Sequence, residues 1–222
     1  MKPSDYTFEN FVTTPSNRFA RIAAETISKS SEINYNPLYI YGSSGLGKTH
    51  LLRAMAKEYE SRGINAIYLP CNQFFDEMVD AIRSGTKAEF REKYCQVDVL
   101  ILDRLEYVAG KEATQEELSN IIDKRYWDHH KQTVFAGNTY PTQIPVLDPR
   151  LSAHLTLGLC IEISTPDFEG RTQIISQKLK AHGMDWPIEA CRYVALNVSS
   201  GVNQIEGEIN KILACREMLE KA

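Results

Sequence analysis

Short apolar runs punctuate the chain, separated by longer stretches of helical spacing. Leu38-Tyr39-Ile40-Tyr41, Ala66-Ile67-Tyr68-Leu69, Val97 to Leu102, Thr133 to Ala136 and Leu159 to Ile163 each read as a strand. Continuous apolar runs of this length suit strands buried on both faces, as in a parallel sheet. Helical patterns fill the gaps at Ser16 to Ser28, Thr49 to Arg62, Gln73 to Arg83 and Thr114 to His129. Alternation of the two predicts an α/β doubly wound sheet. After Ile163 the pattern changes. Thr165-Pro166-Asp167 has the chemistry of a helix start, with proline tolerated in the first turn. Only helices are predicted beyond it, over Asp167 to His182, Pro187 to Val198 and Val202 to Leu219, with Ile205, Ile209, Ile212 and Leu213 on one face of the last. The expected organisation is an α/β core over 1–164 and a small all-helical lid over 165–222.

Composition changes this picture little. The 222 residues are 43% hydrophobic and 24% charged, with a formal net charge of -4. Whole-chain charge therefore gives no attraction to nucleic acid and leaves only local basic patches. No run approaches the roughly 20 apolar residues of a membrane helix, and Met1 to Asp5 carries no apolar signal core. The five cysteines (Cys71, Cys95, Cys160, Cys191, Cys215) are scattered and unpaired in spacing, which suits reduced thiols in a cytoplasm. The five histidines show no metal-ligand spacing, and His129-His130 reads as a polar helix end.

One motif carries specific chemistry. Gly42-Ser43-Ser44-Gly45-Leu46-Gly47-Lys48-Thr49 satisfies G-x-x-x-x-G-K-[ST] in full, between a predicted strand and a predicted helix. Gly42, Gly45 and Gly47 let backbone N–H groups curl around phosphate oxygens, and the following helix points its positive end at them. Lys48 reaches the β- and γ-phosphates, and the Thr49 hydroxyl ligates magnesium. Asp103 ends the most apolar run, where a carboxylate is placed to hold magnesium. The next residue is Arg104, at a position where many P-loop ATPases carry an acid that polarises the attacking water. A guanidinium cannot accept that proton. Glu106, two residues on, serves as the acid only if the backbone bends to aim it, and is otherwise a surface glutamate. The expected ligand is ATP or ADP with Mg2+.

The ordered series of motifs resembles the AAA+ ATPase domain of the bacterial chromosomal replication initiator DnaA family. The resemblance runs from about Tyr6 to about Arg216. It is carried by Tyr6 to Val12 with Pro15 to Ala20, by Tyr35 to Leu51, and by Ala109-Gly110-Lys111-Glu112 with Thr114 to Glu117 after Asp103. It implies a five-stranded parallel sheet, a helical lid and nucleotide held between the two. It places Phe11, Val12 and Asn17 in the segment that lines the adenine pocket. It sets Asn138 at the sensor position for the γ-phosphate, although an asparagine starting a turn before Pro141 fits the same place.

Departures from the family pattern are informative. Arg150-Leu151-Ser152-Ala153-His154-Leu155 puts histidine where the family's arginine reaches a neighbour's nucleotide, and Gly201 to Gly207 puts Asn203 where a lid arginine senses nucleotide in cis. An arginine finger is worth about 10³–10⁵ in rate, and histidine lacks its fork of donors. Arg104, His154 and Asn203 thus depart where hydrolysis and sensing are served, while the phosphate- and magnesium-binding positions are kept. The expectation is a nucleotide-holding regulatory or accessory factor in replication initiation with slow hydrolysis. Its partners would be replication proteins such as the initiator or the replicative helicase, reached as a monomer or in heterotypic assembly. The alternative is an active ATPase working as a helicase-loader-like motor. The family's duplex-binding module follows the lid, and the sequence stops at Ala222, so sequence-specific duplex binding is not expected. Arg83, Lys87 and Arg91 recur every four residues in the insertion that binds single-stranded DNA in the family. They are candidates for phosphate contacts, although a solvated helix face explains the same spacing.

Overall fold

The computed structural model describes residues 6–198 and 201–220. Met1 to Asp5 lies outside the described residues. The strands β1 (Leu38–Tyr41), β2 (Ala66–Pro70), β3 (Val99–Asp103), β4 (Gln132–Gly137) and β5 (Leu159–Glu162) form one sheet in the order β2-β3-β4-β1-β5. Every pairing is parallel, so the expected sheet is present. Its strands alternate sides despite their continuous apolar sequence. Leu38, Ile40, Val99, Ile101, Val134 and Ala136 face one core beneath α1 (Arg18–Lys29) and α2 (Lys48–Ser61). Tyr39, Leu100, Leu102 and Phe135 face the other, built with α3 (Cys71–Arg83), α4 (Lys87–Gln96) and α5 (Glu112–Asp123). Burial on both faces explains why the central strands read as nearly continuous apolar runs.

Three details of the expected elements change, one of them the break after Arg83 that starts a separate helix, α4, at Lys87. The helix expected to reach His129 gives way at Lys124–Asp128 to a π-turn, where Arg125 is fully buried and binds backbone carbonyls. A further helix, α6 (Pro149–Thr156), stands where none was expected. It is short and buries only Leu151 and Leu155, too few positions to set up a visible period. Its start was nonetheless written locally. The Asp148 carboxylate accepts from the N–H groups of Arg150 and Leu151, with Pro149 in the first turn.

After β5, α7 (Phe168–Ala181), α8 (Ile188–Leu196) and α9 (Val202–Glu220) pack around an apolar cluster of their own that includes Ile174, Ile175, Leu179, Cys191, Ile205 and Ile209. Val12 joins this cluster, so the chain's opening segment ties the helices to the sheet. All five cysteines are free thiols. Among the described residues no helix is long and apolar enough to cross a membrane.

Candidate functional site

The P-loop joins β1 to α2. Gly42 has φ 147°, and a Cβ there would lie 2.1 Å from the Ile163 carbonyl oxygen, so only glycine lets the loop leave the sheet beside β5. Lys48 is buried at the start of α2. Its ammonium donates to the carbonyls of Gly42 (2.5 Å) and Ser43 (2.9 Å) and to Asn138 Oδ1 (3.2 Å). Burial lowers its pKa, opposed by the carboxylates of Glu106 and Asp103.

Strand order decides what faces the loop. β4 lies between β1 and β3, so the Asn138 tip stands between the P-loop and Asp103. Asp103 is 2% exposed. Its Oδ2 accepts from the Thr49 hydroxyl (2.6 Å) and the Tyr68 phenol (3.0 Å), and its Oδ1 accepts from the Arg104 N–H (2.8 Å). Burial and the Asp103 carboxylate push the Tyr68 pKa up, keeping that phenol a donor. A hydroxyl and a carboxylate in contact are hard oxygen donors suited to Mg2+, which takes its remaining ligands from phosphate and water. No cluster of three or more His, Cys, Asp or Glu side chains with metal-site geometry occurs among the described residues.

Arg104 adopts a left-handed backbone, φ 59° and ψ 54°, and a 3₁₀ turn over Leu105–Val108 follows at once. This is the bend that Glu106 needed. Its Oε1 accepts from Asn138 Nδ2 at 2.6 Å, and its Oε2 is buried with no hydrogen-bond partner. Lys48, Asn138 and Glu106 therefore form one polar chain beside Asp103.

A cavity of about 590 Å³ contains these groups, and Phe11, Val12 and Asn17 line it as well. Asn17 is buried and shapes the opening segment. Its amide donates to the Val12 carbonyl (3.0 Å) and its oxygen accepts from the Thr14 N–H (2.8 Å). Phe11 packs edge-on against His50, whose ring nitrogen lies 2.8 Å from the Thr7 carbonyl. The far wall comes from Ile174 and Lys178 of α7 and Val202, Asn203 and Glu206 of α9. No motif marks Ile174 and Lys178, whereas Glu206 lies within the Gly201 to Gly207 segment. The only local signal is spacing, since 174 and 178, like 202 and 206, lie one helical turn apart. Lys178 donates to Glu206 at 2.6 Å across this wall.

The remaining expected residues lie elsewhere. His154 is half-buried in α6, with Nε2 3.3 Å from Asp123 Oδ1 but without hydrogen-bond geometry. Burial lowers its pKa more than Asp123 raises it, which favours the neutral ring. Arg150 on the same helix pairs with Asp123 at 2.5 Å. Arg83, Lys87 and Arg91 do not form one track. Arg83 ends α3, Lys87 begins α4, and Lys87 and Arg91 both reach the fully buried Glu117 carboxylate, at 3.0 and 2.5 Å. Their spacing serves a buried ion-pair network between α4 and α5, which sequence periodicity could not distinguish from a phosphate track.

A parallel sheet with β4 between the P-loop strand and the aspartate strand, capped by helices across the cavity, defines a P-loop nucleotide-binding domain of the AAA+ class. The family model for the bacterial DnaA ATPase domain matches residues 3–162, and the chain belongs to that family. It is 39% identical over 215 residues to the chromosomal replication initiator protein DnaA of Nautilia profundicola, covering 97% of this chain and 49% of that protein. The chain thus spans about half the length of this relative. It is similar to domain III of the replication initiation protein DnaA from Thermotoga maritima (35% identity, TM-score 0.90, 98% of this chain and 91% of that one). It is also similar to a replication initiator DnaA bound to AMPPCP and single-stranded DNA (36% identity, TM-score 0.88, 93% of this chain and 64% of that one).

Proposed function

We propose that this chain binds ATP or ADP with Mg2+ between the sheet and helices α7 to α9, hydrolyses slowly, and serves as a regulatory or accessory factor in replication initiation. The carrying observation is a divided site. The phosphate- and magnesium-binding groups Lys48, Thr49 and Asp103 stand together, while three positions that serve hydrolysis and nucleotide sensing in the family carry other side chains. Asn203 lies over Gly45, so close that a Cβ there would sit 2.5 Å from its Nδ2. His154 is held against Asp123 of its own chain. Arg104 cannot act as a base. The magnesium ion, when bound, would neutralise phosphate charge, with Thr49 and Asp103 holding it. Lys48 would exchange its P-loop carbonyls for phosphate oxygens. Core and lid divide near residue 164 on this reading, and the free thiols suit a cytoplasmic setting.

Partners on this reading are replication proteins, the initiator or the replicative helicase among them, met by a monomer in heterotypic contact. For single-stranded DNA, the seat we favour is an aromatic and lysine group on α3 and the loop after β3. Lys111 Nζ lies 3.7 Å from the Tyr107 ring centroid and 5.0 Å from that of Phe75. Such a group stacks bases and meets phosphate, which Lys87 and Arg91, held by Glu117, are poorly placed to do.

A second reading, an active ATPase acting as a helicase-loader-like motor, is favoured by one observation, the bend that brings Glu106 to Asn138. Multiple-turnover phosphate release separates the two. The nucleotide-holding reading expects turnover far below ~1 s⁻¹, and a rate near that ordinary enzyme range, abolished by Glu106→Gln, establishes the motor. Lys48→Ala is the binding control, and size-exclusion chromatography with ATP reports assembly.

A further inference from the structure

The cations around the nucleotide cavity differ in how they are engaged. Lys48 donates to two P-loop carbonyls and to Asn138. Lys178 is paired with Glu206. Asn203 contributes no charge. The Arg104 guanidinium is exposed and makes no hydrogen bond or ion pair among the described residues, yet Arg104 lines this cavity beside Asp103.

Its backbone is held from both sides. The Arg104 N–H donates to Asp103 Oδ1 (2.8 Å), and its carbonyl accepts from the Tyr107 N–H (3.0 Å). The left-handed backbone, φ 59°, stands beside the carboxylate that would hold magnesium, and it fixes where the arginine stem departs. Arg104 also lines an adjoining cavity of about 310 Å³ with Thr49 and Tyr68, so its side chain stands at the mouth on the magnesium side. A bound triphosphate would present its terminal phosphate nearest that place, because Thr49 and Asp103 would hold the accompanying magnesium ion.

We propose that Arg104 is a specificity-determining residue that binds the terminal phosphate of a nucleoside triphosphate in cis, so that the protein distinguishes triphosphate from diphosphate without a partner's arginine. A guanidinium presents a planar fork of donors that matches phosphate oxygens and stays charged at every physiological pH. Here it stands where an acid would otherwise orient water, so it adds charge toward the phosphate without supplying a base. The substitution at 104 then does more than remove a base. It replaces in one chain the phosphate-directed charge that His154 and Asn203 no longer provide. This inference rests on the nucleotide-binding reading above.

Calorimetric titration of magnesium with AMPPCP, and separately with ADP, tests it on the wild type, Arg104→Gln, Arg104→Lys and Lys48→Ala. Loss of a charge-assisted fork predicts that Arg104→Gln weakens AMPPCP by roughly 10–100-fold while ADP changes by less than about 3-fold. Arg104→Lys should fall between, since it keeps charge without the fork. Urea midpoints establish that the variants fold alike. Equal losses for both nucleotides, or none for either, overturn the proposal while the nucleotide-binding reading stands. A wild type that binds neither nucleotide overturns that reading and this proposal with it.

Discussion

Arg125→Met is the sharpest test of how the site is supported. Arg125 is 0% exposed and no carboxylate oxygen is bonded to it among the described residues. Its guanidinium instead makes six hydrogen bonds, to Thr133 Oγ1 (3.1 Å) and to the carbonyls of Tyr94 (2.8 Å), Cys95 (3.5 Å), Val97 (2.7 Å), Asp98 (3.2 Å) and Gln132 (2.6 Å). Burial lowers its pKa to about 10, so it remains charged at neutral pH. These carbonyls lie at the end of α4 and at the roots of β3 and β4, the strands whose tips carry Asp103 and Asn138. Methionine fills similar volume and removes every donor. The three shortest bonds alone would leave acceptors bare at about 1–3 kcal/mol each. Against this, the desolvation cost of the buried charge disappears, which often makes an apolar replacement of a whole ion pair neutral. That offset is incomplete here because the partners are backbone and cannot be replaced. A net loss of about 3–5 kcal/mol follows, as for removing one partner of a buried network. In a chain of this size it corresponds to a melting point lower by roughly 10 °C. Urea unfolding followed by far-UV circular dichroism measures it, with Arg125→Lys expected between the two. A loss below about 1 kcal/mol with an unchanged urea slope would refute the reasoning.

Two further outcomes follow from the same geometry. Gly45→Ala, at φ 80° and with a Cβ placed 2.5 Å from Asn203 Nδ2, should weaken nucleotide binding and cost about 1–2 kcal/mol in backbone strain alone. Adding Asn203→Ala should recover the steric part and not the strain, so strict additivity of the two urea midpoints would contradict the contact. For pH, burial holds His50 and His154 below the ordinary imidazole value of 6.5. A depressed folded pKa means that the unfolded chain takes up protons first as pH falls. Stability is then fully present above 6.5 and lost as pH descends through the folded values. Urea midpoints should fall between about pH 7.5 and about pH 5.5, less steeply in His50→Gln. A flat profile over that range would show that neither ring is held neutral.

What the sequence determines by itself is what local spacing can encode. A phosphate cradle is a run of consecutive residues, and its glycines, Lys48 and Thr49 are legible because the loop's chemistry lies within one turn of chain. The strands are legible as short continuous apolar runs, and most helices because burial repeats every three to four residues. Length limits this: α6, with Leu151 and Leu155 as its buried positions, is too short for a period to show, although Asp148 and Pro149 mark its start. The tertiary structure decides which distant groups meet. A left-handed residue at 104 turns Glu106 from a surface position into the cavity, and the strand order places Asn138 beside it. Glu117 claims Lys87 and Arg91, giving a structural use to a spacing that equally suits phosphate contacts. Ile174 and Lys178 close the cavity from a helix that carries no motif, opposite Glu206 of α9. The physical reason is common to all of these. A side chain's period reports which face of its own element is buried, whereas its partner across a core or a cavity is set by how the elements pack.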